Sequence, residues 1–196
     1  MDAIALLKAE HQAVEAKFAR YEQLGDRALK AKATIVADVV KALSAHAAIE
    51  EEVFYPAVRE RLADQEDQVL EALEEHHILK WTLSELDGMS PEQERFNAKF
   101  TVLMESVRHH VKEEEKELFP RVRKGFTRGE LAELGDALAK AKLRAPKKPH
   151  PRSPDSPPMN VLMSSLTNPI DHAITSAHDM GEAAMRKLRT TVGSSN

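Results

Sequence analysis

The chain contains no cysteine. That excludes disulfides, thiolate metal ligands, iron–sulfur clusters and cysteine nucleophiles together, so any metal chemistry has to use histidine and carboxylate. Aromatic residues make up only 5% and glycines number seven in 196 residues, which is little for a sheet-rich fold with many tight turns. With charged residues at 31%, the balance points to long solvated helices and an all-α class. No stretch approaches the roughly 18 uncharged apolar residues of a membrane span. The opening MDAIALLKAEHQ also lacks the basic start, apolar core and cleavage site of a signal peptide, so the expectation is a soluble, cytoplasmic protein. A net charge of −4 with a pI near 6.2 supplies no global attraction to nucleic acid or an anionic membrane, and neither is expected as a partner.

What is present is helical periodicity in successive blocks. Ile4, Leu7, Val14, Phe18 and Tyr21 recur at helical spacing from Asp2 to about Leu24, with Gly25-Asp26 as a stop. A second run from Ile35 through Val36, Val39, Val40, Leu43, Ile49, Val53 and Phe54 meets Pro56, which should end or kink it, with Ala57 to Leu62 as a further turn or two. A third helix is expected from about Asp67 to Leu86, with Leu70, Leu73, Leu79, Leu83 and Leu86 inward and Gly88 just past its end. Ser90-Pro91-Glu92-Gln93 has the form of a helix start, so a fourth helix is placed from there toward Pro120, burying Phe96, Phe100, Leu103, Val107 and Leu118. A capping-box pattern at Thr127 to Glu130, followed by Leu131, Leu134, Leu138 and Leu143, predicts a short fifth helix against the bundle. The expected organisation is one antiparallel up-down four-helix bundle over residues 1–145. A proline-rich linker and mostly disordered tail come next over 146–196, with one weak helical stripe from Ile170 to Leu188.

The most informative feature is an internal repeat. His46, Glu50, Glu51, Tyr55 and Pro56 recur as His110, Glu114, Glu115, Phe119 and Pro120, every position offset by 64 residues. A chance second match of this kind has odds on the order of one in a thousand. The flanking apolar positions Val36, Val39 and Leu43 repeat as Phe100, Leu103 and Val107. Residues four apart on a helix stand one above the other, so His46 with Glu50, and His110 with Glu114, can each aim nitrogen and oxygen at one point. His11 shares the inward stripe of the first helix with Leu7, Val14 and Phe18. His76 holds the same phase on the third with Leu79 and Leu83, and its neighbour His77 is the alternative. The chain reads as two helical hairpins, each supplying one histidine and one His-xxx-Glu pair to the interior.

A single inward histidine is ordinarily a satisfied core group, but six co-phased polar groups are not. Burying two carboxylates and four imidazoles uncompensated would cost at least several kcal/mol per ionised group, comparable with the stability of such a domain. A pair of metal ions resolves that conflict, and nitrogen and oxygen donors alone leave Fe, Mn, Zn or Co open. A ferritin-like arrangement would need two Glu-xx-His motifs, and Glu74-xx-His77 is one without a second. Glu51, Glu52, Glu113, Glu115 and Glu117 are read as a solvated acidic face, and Trp81 as packing.

The early histidine, the paired HxxxEE with aromatic-Pro, and the EEHH of the third helix together resemble the hemerythrin-like, HHE cation-binding family over roughly residues 1–124. The resemblance implies two non-haem iron ions, bridged by Glu50 and Glu114, with His11, His46, His76 and His110 as terminal ligands. It also implies a small diatomic or peroxide ligand. The HxxxH and HxxxxD signatures of the oxygen-carrying members are not found in matching places, so reversible oxygen transport is not implied. Three roles stay open: a binding or sensing protein for O2, NO or peroxide; an enzyme that turns over peroxide or NO; and an iron holder or adaptor acting through its tail. Oligomeric state is not legible.

Overall fold

The structure, a computed structural model, describes residues 1–151. The helices are α1 (Ala3–Glu22), α2 (Leu29–Ile49), α3 (Tyr55–Arg61), α4 (Glu66–Leu86), α5 (Phe96–Glu113), α6 (Phe119–Gly125) and α7 (Arg128–Arg144). A short 3₁₀ turn, Ala63–Gln65, leads into α4. Among the described residues there is no strand, and no helix is long and apolar enough to cross a membrane.

Four rods make the bundle: α1, α2 running on into α3, α4, and α5 running on into α6. The continuations pass through one π-helical turn each, Glu50–Phe54 and Glu114–Leu118. The cause is proline. Pro56 and Pro120 cannot donate to the carbonyl four residues back, and their rings collide with it. The chain widens by one residue instead of breaking, so Tyr55 N–H donates to the Glu50 carbonyl and Phe119 N–H to that of Glu114, five residues back. The extra residue rotates the downstream helix by about 100° around the axis. Both Phe54 and Tyr55 are thereby buried, as are Leu118 and Phe119.

The apolar interior falls into two clusters. One gathers Leu7, Ile49, Phe54, Leu73, Leu118, Phe119 and the inner face of α7. The other gathers Val14, Phe18, Leu43, Leu79, Phe100 and Val107. His11, His46, His76 and His110 each fall between a residue of one cluster and a residue of the other along their own rods, so a polar layer is sandwiched between two apolar ones.

Local signals placed three of these ends. Asp2 caps α1 by accepting from Ala5 N–H at 2.8 Å, and Gly88, at φ +81°, takes the left-handed turn after α4. Thr127 and Glu130 form the reciprocal capping box expected of them. The predicted start of the fourth helix at Ser90-Pro91 is wrong: α5 begins at Phe96. The Ser90 hydroxyl does accept from Glu92 N–H at 3.3 Å, but Gln93 N–H bonds to Ser90 and Phe96 N–H to Gln93 three residues back, making two successive turns. Pro91 to Glu94 carries no apolar side chain beyond the proline ring, so packing, which supplies most helix stability, begins only with Phe96.

Two leucines were also misplaced. Leu70 is 43% exposed, and its neighbour Val69 holds the inward position. Leu143 is 86% exposed, and Ala141 packs instead. The fifth helix is not short: it runs 17 residues along α1 and α2. It approaches so closely that Gly135 lies against the backbone of Met1 to Ala3. Residues 146–151 carry no regular structure and are half-buried, with Lys148 Nζ 3.6 Å from Asp87. The rest of the predicted linker and the stripe from Ile170 to Leu188 lie outside the described residues.

Candidate metal centre

Each hairpin delivers its polar groups to the same layer. Nε2 of His11 stands 3.1 Å from Nε2 of His46, and Nε2 of His76 stands 3.1 Å from Nε2 of His110. The two carboxylates lie between these pairs. Oε2 of Glu50 is 3.2 Å from His46 Nε2 and 3.5 Å from His76 Nε2. Oε2 of Glu114 is 3.3 Å from His11 Nε2 and 3.7 Å from His110 Nε2. Each carboxylate therefore faces both histidine pairs. All six side chains are buried, Glu50 at 0% exposure.

The outer ring nitrogens decide the chemistry. Nδ1 of His11 is 3.0 Å from Glu115, of His46 3.0 Å from Glu10, of His76 3.1 Å from Glu51, and of His110 2.7 Å from Glu75. A carboxylate can only accept, so Nδ1 carries the hydrogen and donates it, which leaves each Nε2 as a bare lone pair turned inward. Four inward Nε2 atoms thus meet two carboxylates at the centre of the layer. Both oxygens of Glu50 and Oε2 of Glu114 are buried without a hydrogen-bond partner.

Charge in the layer is correspondingly strained. Burial, and then the charge of Glu114, push the Glu50 carboxyl well above the usual carboxylate range. Burial works the same way on Glu114, but the imidazoles of His110, His11 and His46 outweigh it and lower that group. Burial holds the His46 imidazole down at about 4 and lowers His76 as well, whereas burial at His110 is outweighed by the charge of Glu114 and the hydrogen bond to Glu75, which raise it. A cation at each histidine pair would satisfy every one of these groups. The spacing suits one: metal–nitrogen bonds of about 2.1 Å at angles between octahedral and tetrahedral put adjacent nitrogens roughly 3.0–3.4 Å apart. Within the described residues the groups whose donor atoms converge tightly enough are His11, His46, Glu50 and Glu114, then Glu50, His76 and His110, and a solvent-facing trio of Glu75, His109 and Glu113.

All six side chains singled out from the sequence thus converge. His76 joins the cluster, whereas His77 sits at the surface and accepts from the Trp81 indole N–H at 3.3 Å. Trp81 itself is 43% exposed and lies outside the cluster. The acidic face needs correcting. Glu51 is buried and holds His76, Glu115 is half-buried and holds His11, and Glu52 is half-buried and paired with Arg144. Glu113 bonds His109 at 3.2 Å, and Glu117 is solvated.

Sequence reasoning missed Glu10 and Glu75, although Glu10-His11 and Glu75-His76 are the same pair 65 residues apart. It also missed the role of Tyr55. Its hydroxyl donates to Glu114 Oε1 at 2.9 Å and lies 3.4 Å from His76 Nε2. Phe119, its counterpart in the repeat, stacks on His11 instead.

Beside the four imidazoles is a cavity of about 30 Å³ with apolar walls that include Val14, Leu43, Leu79, Leu83 and Val107. That is room for a molecule of two or three atoms.

Comparison with known proteins agrees with this geometry. Residues 2–122 match the family model of the hemerythrin HHE cation binding domain. An uncharacterized hemerythrin-like protein of Schizosaccharomyces pombe is 28% identical over 130 residues, 66% of this chain and 64% of that protein. A DNA nickase of Nostoc sp. is 29% identical over 122 residues, 62% of this chain but 34% of the nickase. The chain thus spans less than two thirds of either relative. A crystal structure of a hemerythrin HHE cation binding domain-containing protein from Mycobacterium kansasii superposes with a TM-score of 0.62, covering 73% of this chain and 86% of that one. At 20% identity that likeness speaks for the fold.

Proposed function

From the premise that this chain belongs to the hemerythrin HHE cation-binding family, we propose that residues 1–145 hold two non-haem iron ions and that the pair binds or reacts with O2, NO or peroxide. The reading places the protein in stress response or in iron or oxygen sensing. His11 and His46 would hold one ion and His76 and His110 the other, with Glu50 and Glu114 between them. The observation that carries it is the layer of four inward Nε2 lone pairs around a carboxylate, Glu50, whose two oxygens have no partner.

His11, His46, Glu50 and Glu114 would offer four donors to one ion and His76, His110 and Glu50 three to the other, fewer than the six an octahedral ion accepts. Iron would supply the redox change and the open position for an oxygen-containing ligand. The protein's own groups do the rest. Glu10, Glu51, Glu75 and Glu115 keep the imidazoles in the binding tautomer, the apolar cavity wall excludes bulk water, and the cavity volume admits only very small ligands.

The test is metal analysis of untagged protein from iron-supplemented cells, paired with visible spectra before and after anaerobic addition of O2, NO or peroxide. About two irons per chain and a spectral response support the reading. One zinc, or no metal, overturns it.

Tyr55 favours a second reading, turnover of peroxide. Its hydroxyl is a proton source on Glu114 and next to His76, and disproportionation of two peroxides to two waters and one dioxygen needs no other reactant. Sustained oxygen evolution, lost in His46→Ala and Glu114→Ala, supports it; one stoichiometric bleaching event sinks it.

A further inference from the structure

We propose that small ligands reach the buried centre through the seam between α1 and α5, past a gate made by Val111, Val107 and Val14, and that the mouth of this path favours anions. The inference rests on the reading that the buried cluster holds metal ions.

Two cavities meet there. The inner one of about 30 Å³ adjoins all four imidazoles. On the outside, an open groove of about 450 Å³ runs between α1 and α5. Both are lined by His11, Val14, Val107 and Val111, so a single layer of side chains separates solvent from the centre at this point. Val111 is the half-buried member of that layer, while Val14 and Val107 are buried.

The seam is the loose edge of the bundle. Close backbone packing joins α1 to α2, α2 to α4 and α4 to α5, while α1 and α5 meet mainly through side chains. Arg108 spans from α5 to Glu15 and Glu22 at 2.8–3.1 Å, and Lys8 reaches Glu115 at 3.0 Å. These pairs frame the groove and leave its middle to the valines. The cavity's other side is closed more firmly. Ala47 is buried there, Glu10 is tied to Lys142 on α7 at 2.6 Å, and Lys80 is tied to Glu51 at 3.0 Å.

Charge at the mouth leans positive. Lys8, Arg108, Lys112 and Lys116 line the groove against Glu15 and Glu115. Those two carboxylates are engaged by Arg108 and Lys8, so the net positive field comes from Lys112 and Lys116, both exposed. Such a field raises the local concentration of small anions and speeds their entry at low ionic strength.

The test is stopped-flow association of azide with the iron-loaded full-length protein. Val111→Phe should slow association about tenfold and Val111→Ala should speed it, with the resting spectrum unchanged, whereas Val102→Phe, at an exposed position of α5 away from both cavities, should leave the rate within about twofold. The double change Lys112→Glu with Lys116→Glu should slow azide by about three- to tenfold at low salt, lose that effect in high salt, and spare uncharged nitric oxide. Unaltered rates in both Val111 variants, or equal slowing by Val102→Phe, would overturn the route; an azide rate indifferent to the lysine changes would overturn the anion preference.

A second readout needs no iron. Dissolved O2 should broaden the NMR signals of the Val111, Val107 and Val14 methyl groups of the full chain more than that of Ala47. The opposite order would refute the path even if no metal binds, so failure of the route and failure of the metal reading are distinguished.

Discussion

The Tyr55 hydroxyl donates to Oε1 of Glu114 at 2.9 Å, joining two rods whose sequences lie 59 residues apart. It reaches that far because the π turn at Glu50–Phe54 rotates Tyr55 from the flank of its helix to the interior. Tyr55→Phe removes the donor and strands a buried carboxylate oxygen, an expected loss of about 1–3 kcal/mol in the metal-free protein. Urea unfolding of chelator-treated wild type and variant checks it; an unchanged midpoint would mean that the bond contributes nothing.

Metal removal should destabilise the fold. Binding to the native state alone at a thousandfold excess over Kd adds about 4 kcal/mol, and here it also relieves the unpartnered oxygens of Glu50 and Glu114. Chelation is expected to lower Tm by several degrees or more, and Glu50→Ala to abolish the metal-dependent part of that difference. Calorimetry with and without metal measures both.

The carboxylates behind the histidines should tune affinity. Glu75→Gln and Glu10→Gln keep an acceptor for His110 and His46 but remove the charge, and each is expected to weaken metal binding about 10- to 100-fold. Glu117→Gln, on a solvated side chain, should leave affinity unchanged. Competition titration against a chromogenic chelator compares the three.

Gly135 sits where α7 crosses the N-terminus. A Cβ there would run into the Met1 carbonyl oxygen and lie 2.9 Å from the Ala3 nitrogen, so backbone would have to move. Gly135→Ala is expected to cost about 1–3 kcal/mol. Leu143→Ala, on the open face of the same helix, should stay within about 0.5 kcal/mol. Thermal melts of both variants decide whether α7 is held by this close approach.

The site was legible because its donors obey helical spacing. His46 with Glu50, and His110 with Glu114, are local pairs set by one turn of helix, and the offset of 64 exposes them without any knowledge of tertiary contacts. The residues that orient them were less visible. Glu10 and Glu51 lie one position off the inward stripe, where periodicity assigns solvent. Each serves the centre only because a neighbouring rod brings a histidine Nδ1 within 3.0–3.1 Å.

What the sequence determined by itself was the helical class, the two-hairpin duplication, the caps at Asp2 and Thr127, and the convergence of four histidines and two glutamates. These arise from short-range periodicity and local hydrogen bonding. Only the tertiary structure decided that Pro56 and Pro120 widen their helices and let them run on, that α5 waits for Phe96, that His76 faces inward while His77 does not, and that Tyr55 enters the site. The physical reason is common to all four. Each has two locally acceptable conformations, and the choice falls to whichever buries apolar surface and satisfies polar groups on other rods.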